Sequence, residues 1–259
     1  MSLAISLKSE FLKTKRSPTW ILTLIMAAFA PAFMLLVFQE EQDGHLSDDI
    51  ARVSKDAWNF YHYQGWGIIS MVFLPMFVVL MSTLLPQIEF RNHTWKQVFA
   101  APQSLGKLYF SKFLLFQFFI LAFIALHIIL VGISGYFSGI LNPRFNFSGN
   151  HLDWLKMLMQ LGKTYVAILA LSTFQFWMGM RFKSFLVPIG VGVLMSILGM
   201  INMIGFPVVD ADKYFFNFSG FIVIKSNAAK VPYVLWSSAA YAAAFLILGF
   251  LDFSRIKER

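Results

Sequence analysis

Six long runs free of Asp, Glu, Lys and Arg alternate with charged gaps along the chain, at 17–39, 57–88, 113–143, 164–180, 184–209 and 231–251. A helix needs about 20 predominantly apolar residues, within a range of roughly 17–25, to cross bilayer hydrocarbon. Five runs exceed that length and the fourth just reaches it. Lipid offers no partner to an open backbone hydrogen bond, so a run that crosses it must be helical. The pattern predicts an all-α membrane protein, one transmembrane domain over 1–259. Its six transmembrane helices are expected at about 18–38, 66–88, 113–134, 164–180, 185–206 and 231–251. No water-soluble domain fits between them.

Charge in the gaps orients the bundle. The segment before the first run, the gaps after the second and fourth runs, and the segment after the sixth carry thirteen Lys and Arg. Against these stand only Glu10, Glu89, Asp252 and Glu258. The other three gaps hold eight cations and nine acids. An excess of Lys and Arg marks the cytoplasmic side, where anionic headgroups also attract them. Both termini are therefore expected in the cytoplasm. This topology accounts for the net charge of +8, so no nucleic-acid partner is implied. Cysteine is absent, which excludes disulfides, thiolate metal sites and a cysteine nucleophile. Thirty Phe and seven Trp suit a lipid-facing surface with interfacial anchors. The first run exceeds 20 residues and lacks a small-residue cleavage site, so it is expected to persist as span 1 rather than leave as a signal peptide.

The segments beside the spans carry their own patterns. Residues 2–16 predict an interfacial amphipathic helix. Leu3, Leu7 and Phe11 recur every four residues, while Lys8, Ser9, Lys13 and Thr14 occupy the other side, with cations toward headgroups. Pro18 suits the first turn of a new helix, so a bend is expected before span 1. Pro75 and Pro86 predict bends in span 2. The segment 89–107, between spans 2 and 3, holds a second stripe. Trp95, Val98 and Phe99 fall at i, i+3 and i+4, flanked by Arg91 and Lys96, and Pro102 ends the helix. From pattern alone this stripe either docks into a partner's groove or rests on lipid. Trp58, Tyr61, Tyr63 and Trp66 form an aromatic cluster near the outer interface. Segments 135–156 and 210–230 read as outer loops, each containing Phe-Asn-Phe-Ser-Gly, at 145–149 and 216–220.

Motifs with chemistry are few. Gly162-Lys163-Thr164 resembles the end of a phosphate-binding loop, but Met157 stands where that loop needs glycine. Gly132-Ile133-Ser134-Gly135 matches the Gly-x-Ser-Gly of rhomboid proteases, which makes an intramembrane serine hydrolase the enzymatic alternative. That chemistry needs a histidine from another helix. His127 is seven residues from Ser134 on the same helix, about 10 Å away, and spans 5 and 6 contain no histidine. Gln117, His127 and Gln175 are the notable polar groups within spans. They are candidates for function or for hydrogen bonds between helices. No set of carboxylates lies within a span, so a proton- or sodium-driven carrier lacks its coupling groups, and no metal site is indicated. A non-transporting membrane scaffold or sensor remains a further alternative.

The stretch LKSEFLKTKRSPTWILTL, the six-span layout, and the run from Glu89 through Asn92, Thr94, Trp95 and Lys96 to Pro102, Ser104 and Lys107 together carry a resemblance. The chain resembles the membrane subunits of type-2 exporter-class ABC transporters, nearest to bacterial permeases of lantibiotic and bacitracin self-protection. The resemblance covers nearly the whole chain and rests on the order of these motifs. It implies a non-catalytic permease in the bacterial cytoplasmic (inner) membrane. A separate ABC ATPase subunit would bind ATP and Mg, and a second permease subunit, identical or paralogous, would complete the pair. Residues 2–16 would be the interfacial helix, and 89–107 would carry the coupling helix that docks on the ATPase. Glu89 and Arg91 would sit at that junction. The modest outer loops leave no room for a large extracellular domain.

Overall fold

A computed structural model describes residues 2–40, 56–91, 104–142, 147, 153–204 and 209–256. These residues are helical, with no strand among them. The first helix, α1 (Leu3–Thr14), starts where the Ser2 side chain accepts from the Ile5 amide. It ends in a short turn in which Arg16 adopts a left-handed φ of 68°. Pro18 then opens α2 (Pro18–Glu40), where its missing N–H costs nothing. Span 2 consists of α3 (Ala57–Ile68), one π turn (Ile69–Phe73) and α4 (Leu74–Arg91). The π turn lies immediately before Pro75, whose ring cannot continue the regular ladder. Beyond it come α5 (Leu105–Leu141), α6 (Trp154–Arg181) and α7 (Leu186–Ile204), then α8 (Phe218–Phe221) and α9 (Val231–Ile256).

Six helices are long and apolar enough to cross a membrane: Pro18–Val37, Ala57–Phe90, Leu105–Leu141, Trp154–Arg181, Leu186–Met203 and Lys225–Arg255. Several outrun the limits set by charge and composition. At 1.5 Å per residue α5 is roughly 55 Å long, well beyond a hydrocarbon layer of about 30 Å. Its far end continues because its polar groups find partners on span 2. Tyr61 donates to Ser134 at 3.0 Å, and Ser138 donates to Tyr61 at 3.5 Å.

The spans assemble through aromatic packing and close backbone approach. Helix α9 lies along α6, α2 lies along α5, and span 2 packs against both α6 and α7. Phe77 stacks on Phe123 with centroids 4.4 Å apart, joining spans 2 and 3. Phe116 stacks on Phe176 at 5.9 Å, joining spans 3 and 4. Lipid is as apolar as these side chains, so fit and dispersion rather than water exclusion hold such contacts. Gly179 of α6 lies directly beneath the Ser82 carbonyl of α4, at a separation that admits no Cβ. Gly192 and Gly199 of α7 are similarly covered, by Gln175 with Val79 and by Asn217, whereas Gly190 faces open space.

The segment expected as a third outer loop departs from that reading. Within 210–230, Phe216 to Val223 are buried in the bundle. Ser219 donates to the Ser70 carbonyl in the π turn at 2.8 Å, and Phe215 and Phe216 pack on Phe174 of α6. The run from 214 to 224 contains no charge. It is too short to span, and an apolar run of that length is suited to burial.

Candidate functional site

A closed ring of four charges sits where span 2 ends. Lys13 of α1 lies 2.6 Å from Glu10 and 2.6 Å from Glu89, and Lys112 of α5 lies 3.0 Å from Glu10 and 2.6 Å from Glu89. Each cation therefore touches both anions, and the formal charges cancel. Glu10, Glu89 and Lys112 are buried, while Lys13 is about one-third exposed. Burying charge is costly unless it is paired in good geometry, and alternation of sign around the ring meets that condition.

Local sequence explains how each member arrives. Ser6, Glu10 and Thr14 recur every four residues and form the buried edge of α1, which packs on the base of α5. Lys112 lies two turns into α5, after Ser104 caps it by accepting from the Lys107 amide. Glu89 lies in the last turn of α4, three residues beyond the helical Pro86. Burial opposes the charge on Lys13, but Glu89 and Glu10 outweigh it and hold the ammonium pKa above its ordinary value.

The ring borders a cavity of about 20 Å³, lined also by Ser82, Pro86, Phe116 and Phe176. That is scarcely more than one water molecule requires. The site is a junction between helices and not a substrate pocket. Other polar ties surround it. Gln87 donates to the Lys183 carbonyl at 2.9 Å, linking the end of span 2 to the turn between spans 4 and 5. Arg181 lies 2.9 Å from Asp252, which also accepts from Trp177 at 3.2 Å, joining α6 to α9. Among the described residues no group of three or more His, Asp or Glu could hold a metal ion.

The residues singled out from sequence fall in different places. Glu89 is in the ring. The Arg91 side chain and Trp95, Lys96, Val98 and Phe99 lie outside the described residues. On α1, Leu7 and Phe11 pack against the core and Leu3 and Lys8 are exposed. Phe11 meets Phe118 edge-on at 4.7 Å. Lys13 points at two carboxylates instead of outward, and Leu12 is 62 % exposed. Glu10 and Lys13 turn inward because the bundle offers them complementary charge, while Lys8 and Ser9 stay exposed.

Within the spans, Gln117 donates to Ser172 at 3.2 Å and accepts from Tyr165 at 3.1 Å, bridging spans 3 and 4. His127 places Nδ1 3.3 Å from the Ala27 carbonyl of α2. Gln175 is fully buried, and neither of its amide atoms has a hydrogen-bond partner among the described residues. Ser134 accepts from Tyr61 and donates to the Val131 carbonyl at 3.1 Å. Neither partner is a base able to activate a hydroxyl.

Sequence reasoning passed over Glu10 and Lys112. A signal for Glu10 was present: it is the only acid in the leading basic segment, on a polar repeat of four. Lys112 had none, because its role depends on helices distant in sequence.

The family described as ABC-2 family transporter protein matches the chain over residues 6–199, well over half of its length. No curated protein and no solved structure gives a match. The matched region contains most of α1, all four ring residues and the first four spans, and it ends within the fifth.

Proposed function

The chain belongs to the ABC-2 transporter family, and on that premise we propose that it is the permease of an ATP-driven exporter whose ATPase is a separate chain. Family and spans together make it a multi-pass membrane component of a transporter. In our reading, two permeases pair with two ATPase subunits, which bind ATP and Mg. Segment 89–107 docks on the ATPase through Trp95, Val98 and Phe99, with Arg91 and Lys96 beside the contact. The cargo is an amphipathic peptide or lipid-like molecule handled between the permeases. The membrane is the bacterial cytoplasmic membrane, and the role is self-protection of the lantibiotic or bacitracin kind.

One observation carries the mechanical part of this reading. Glu89 begins the docking segment, Lys112 lies just beyond it in the second turn of α5, and the two pair at 2.6 Å. A push on that segment therefore reaches spans 2 and 3 together, and through Glu10 and Lys13 it reaches α1. ATP-driven closure can shift the balance of states only if contacts differ between them. Four charge pairs that break and re-form provide such a difference. The permease itself performs no bond chemistry. The apolar and aromatic spans, with no carboxylate set among them, support an amphipathic cargo over a sugar or an ion.

The test is copurification from native membranes. A tagged chain should bring down an ATP-binding-cassette subunit, and Trp95→Asp should abolish that association or uncouple hydrolysis from transport. A Trp95→Asp complex that stays intact and transports normally overturns the docking assignment.

A further inference from the structure

At the end of span 2 opposite the charged ring, a recess of about 450 Å³ opens between α3, the start of α6 and the segment before α9. That volume falls in the range of ligand sites, unlike the space beside the ring. Its wall is aromatic: Phe60, Tyr63 and Trp66 follow one another at i, i+3 and i+6 on α3, and His62 stacks on Trp66 at 5.8 Å. Buried Trp66 is fixed by donating to Thr164 at 3.1 Å. Tyr63 is fixed by donating to the Val223 carbonyl at 3.1 Å. The wall is thus held in place by two other elements.

The rim carries two carboxylates and two ammoniums, with no net charge: Asp56, Asp153, Lys156 and Lys225. Their states differ. Lys156 and Asp153 neutralise each other at 2.8 Å. Asp56 accepts only from the neutral Asn59 amide, at 2.9 and 3.1 Å, and forms no ion pair among the described residues. Lys225 stands over the Tyr63 ring, 5.0 Å from its centroid, and likewise forms no ion pair among the described residues. The recess therefore presents Asp56 and Lys225 with no direct ion-pair partner among the described residues, Lys156 acting on Asp56 only at longer range, beside an aromatic wall whose Tyr63 face Lys225 already covers.

Its surroundings select among zwitterions. Leu155, Leu158 and Met159, on the adjoining face of the same helical turns as Lys156 and Gln160, are exposed. A ligand with its head in the recess would have hydrocarbon-compatible surface beside it. The recess also lies at the tip of a span, among Tyr and Trp residues of the kind found at headgroup depth. We infer that this recess binds the headgroup of a zwitterionic phospholipid, with its phosphate at Lys225 and its ammonium between Asp56 and the aromatic wall. This assignment is independent of what the transporter carries.

The test uses the full chain in detergent, stripped of lipid, with dihexanoyl-phosphatidylethanolamine as the probe and thermal stabilisation as the readout. Both key side chains are exposed and Asp56 makes no side-chain cap to α3, so neither variant removes a buried contact. The half-saturating probe concentration should rise about tenfold in Lys225→Gln and in Asp56→Asn, as expected for loss of one charge-assisted contact. Dihexanoyl-phosphatidylglycerol, which lacks the ammonium, should be weakened by Lys225→Gln and indifferent to Asp56→Asn. Equal saturation of the parent and both variants overturns the site. Free phosphoethanolamine saturating as readily as the lipid overturns the lipid assignment in favour of a soluble phosphate ester. Displacement of bound probe by an amphipathic peptide at lower concentration than the lipid overturns it in favour of a peptide.

Discussion

Lys112 and Glu89 meet at 2.6 Å across the base of the segment that separates spans 2 and 3, and both are buried. Glu10 and Lys13 close the ring from α1, so no member can lose its charge without leaving another uncompensated. Glu89→Gln leaves two lysines to one carboxylate and should cost about 3–5 kcal/mol. The double variant Glu89→Gln/Lys112→Met keeps Glu10 and Lys13 as a pair, so it should be more stable than Glu89→Gln alone. Exchanging the charges as Glu89→Lys/Lys112→Glu should not rescue, since it sets like charges side by side around the ring. Thermal unfolding in detergent checks all three.

The same ring sets a pH dependence through Lys13. Its pKa is raised above 10.5, so its contribution is complete below the ordinary lysine value. It disappears as pH climbs through the raised one. The stability difference between the parent and Lys13→Met should be flat from neutrality to about pH 10 and should shrink above it. Paired thermal scans across that range would expose a difference that instead shrinks on acidification.

Spans 2 and 4 touch backbone to side-chain-less backbone at Gly179. A Cβ there would meet the Ser82 carbonyl oxygen and, at 2.9 Å, its carbon. Main chain cannot rotate aside, so Gly179→Ala should force the helices apart at a cost of about 1–3 kcal/mol or more. Gly190→Ala meets nothing within 4 Å and should be neutral or slightly stabilising. Equal melting temperatures for the two variants would contradict this packing.

Phe218 tests whether 216–223 belongs to the bundle. Its side chain is fully buried, so Phe218→Ala should cost about 3–5 kcal/mol. A surface loop would tolerate the change within about 0.5 kcal/mol. Chemical denaturation of the two proteins in the same micelle distinguishes these outcomes.

Much of this architecture is legible without coordinates, and particular residues show where legibility stops. Pro18 marks the start of span 1 because its missing N–H costs nothing in a helix's first turn. The uncharged run from 214 to 224 already pointed to burial, though counting runs long enough to span passed over it. On α1 the period-four repeats were plain, but hydrophobicity alone could not show that Ser6, Glu10 and Thr14 would be buried beside Leu7 and Phe11.

The sequence by itself determined six membrane-spanning helices and a break before the first. Crossing hydrocarbon demands a charge-free helical run of fixed length, and that property is local to each segment. Only the tertiary structure decided which charges meet. The ring joins residues 23, 76 and 102 positions apart, and Gly179 matters only because Ser82 lies above it. Such contacts depend on how helices are rotated and set against one another, a quantity shared between segments and written in none of them singly.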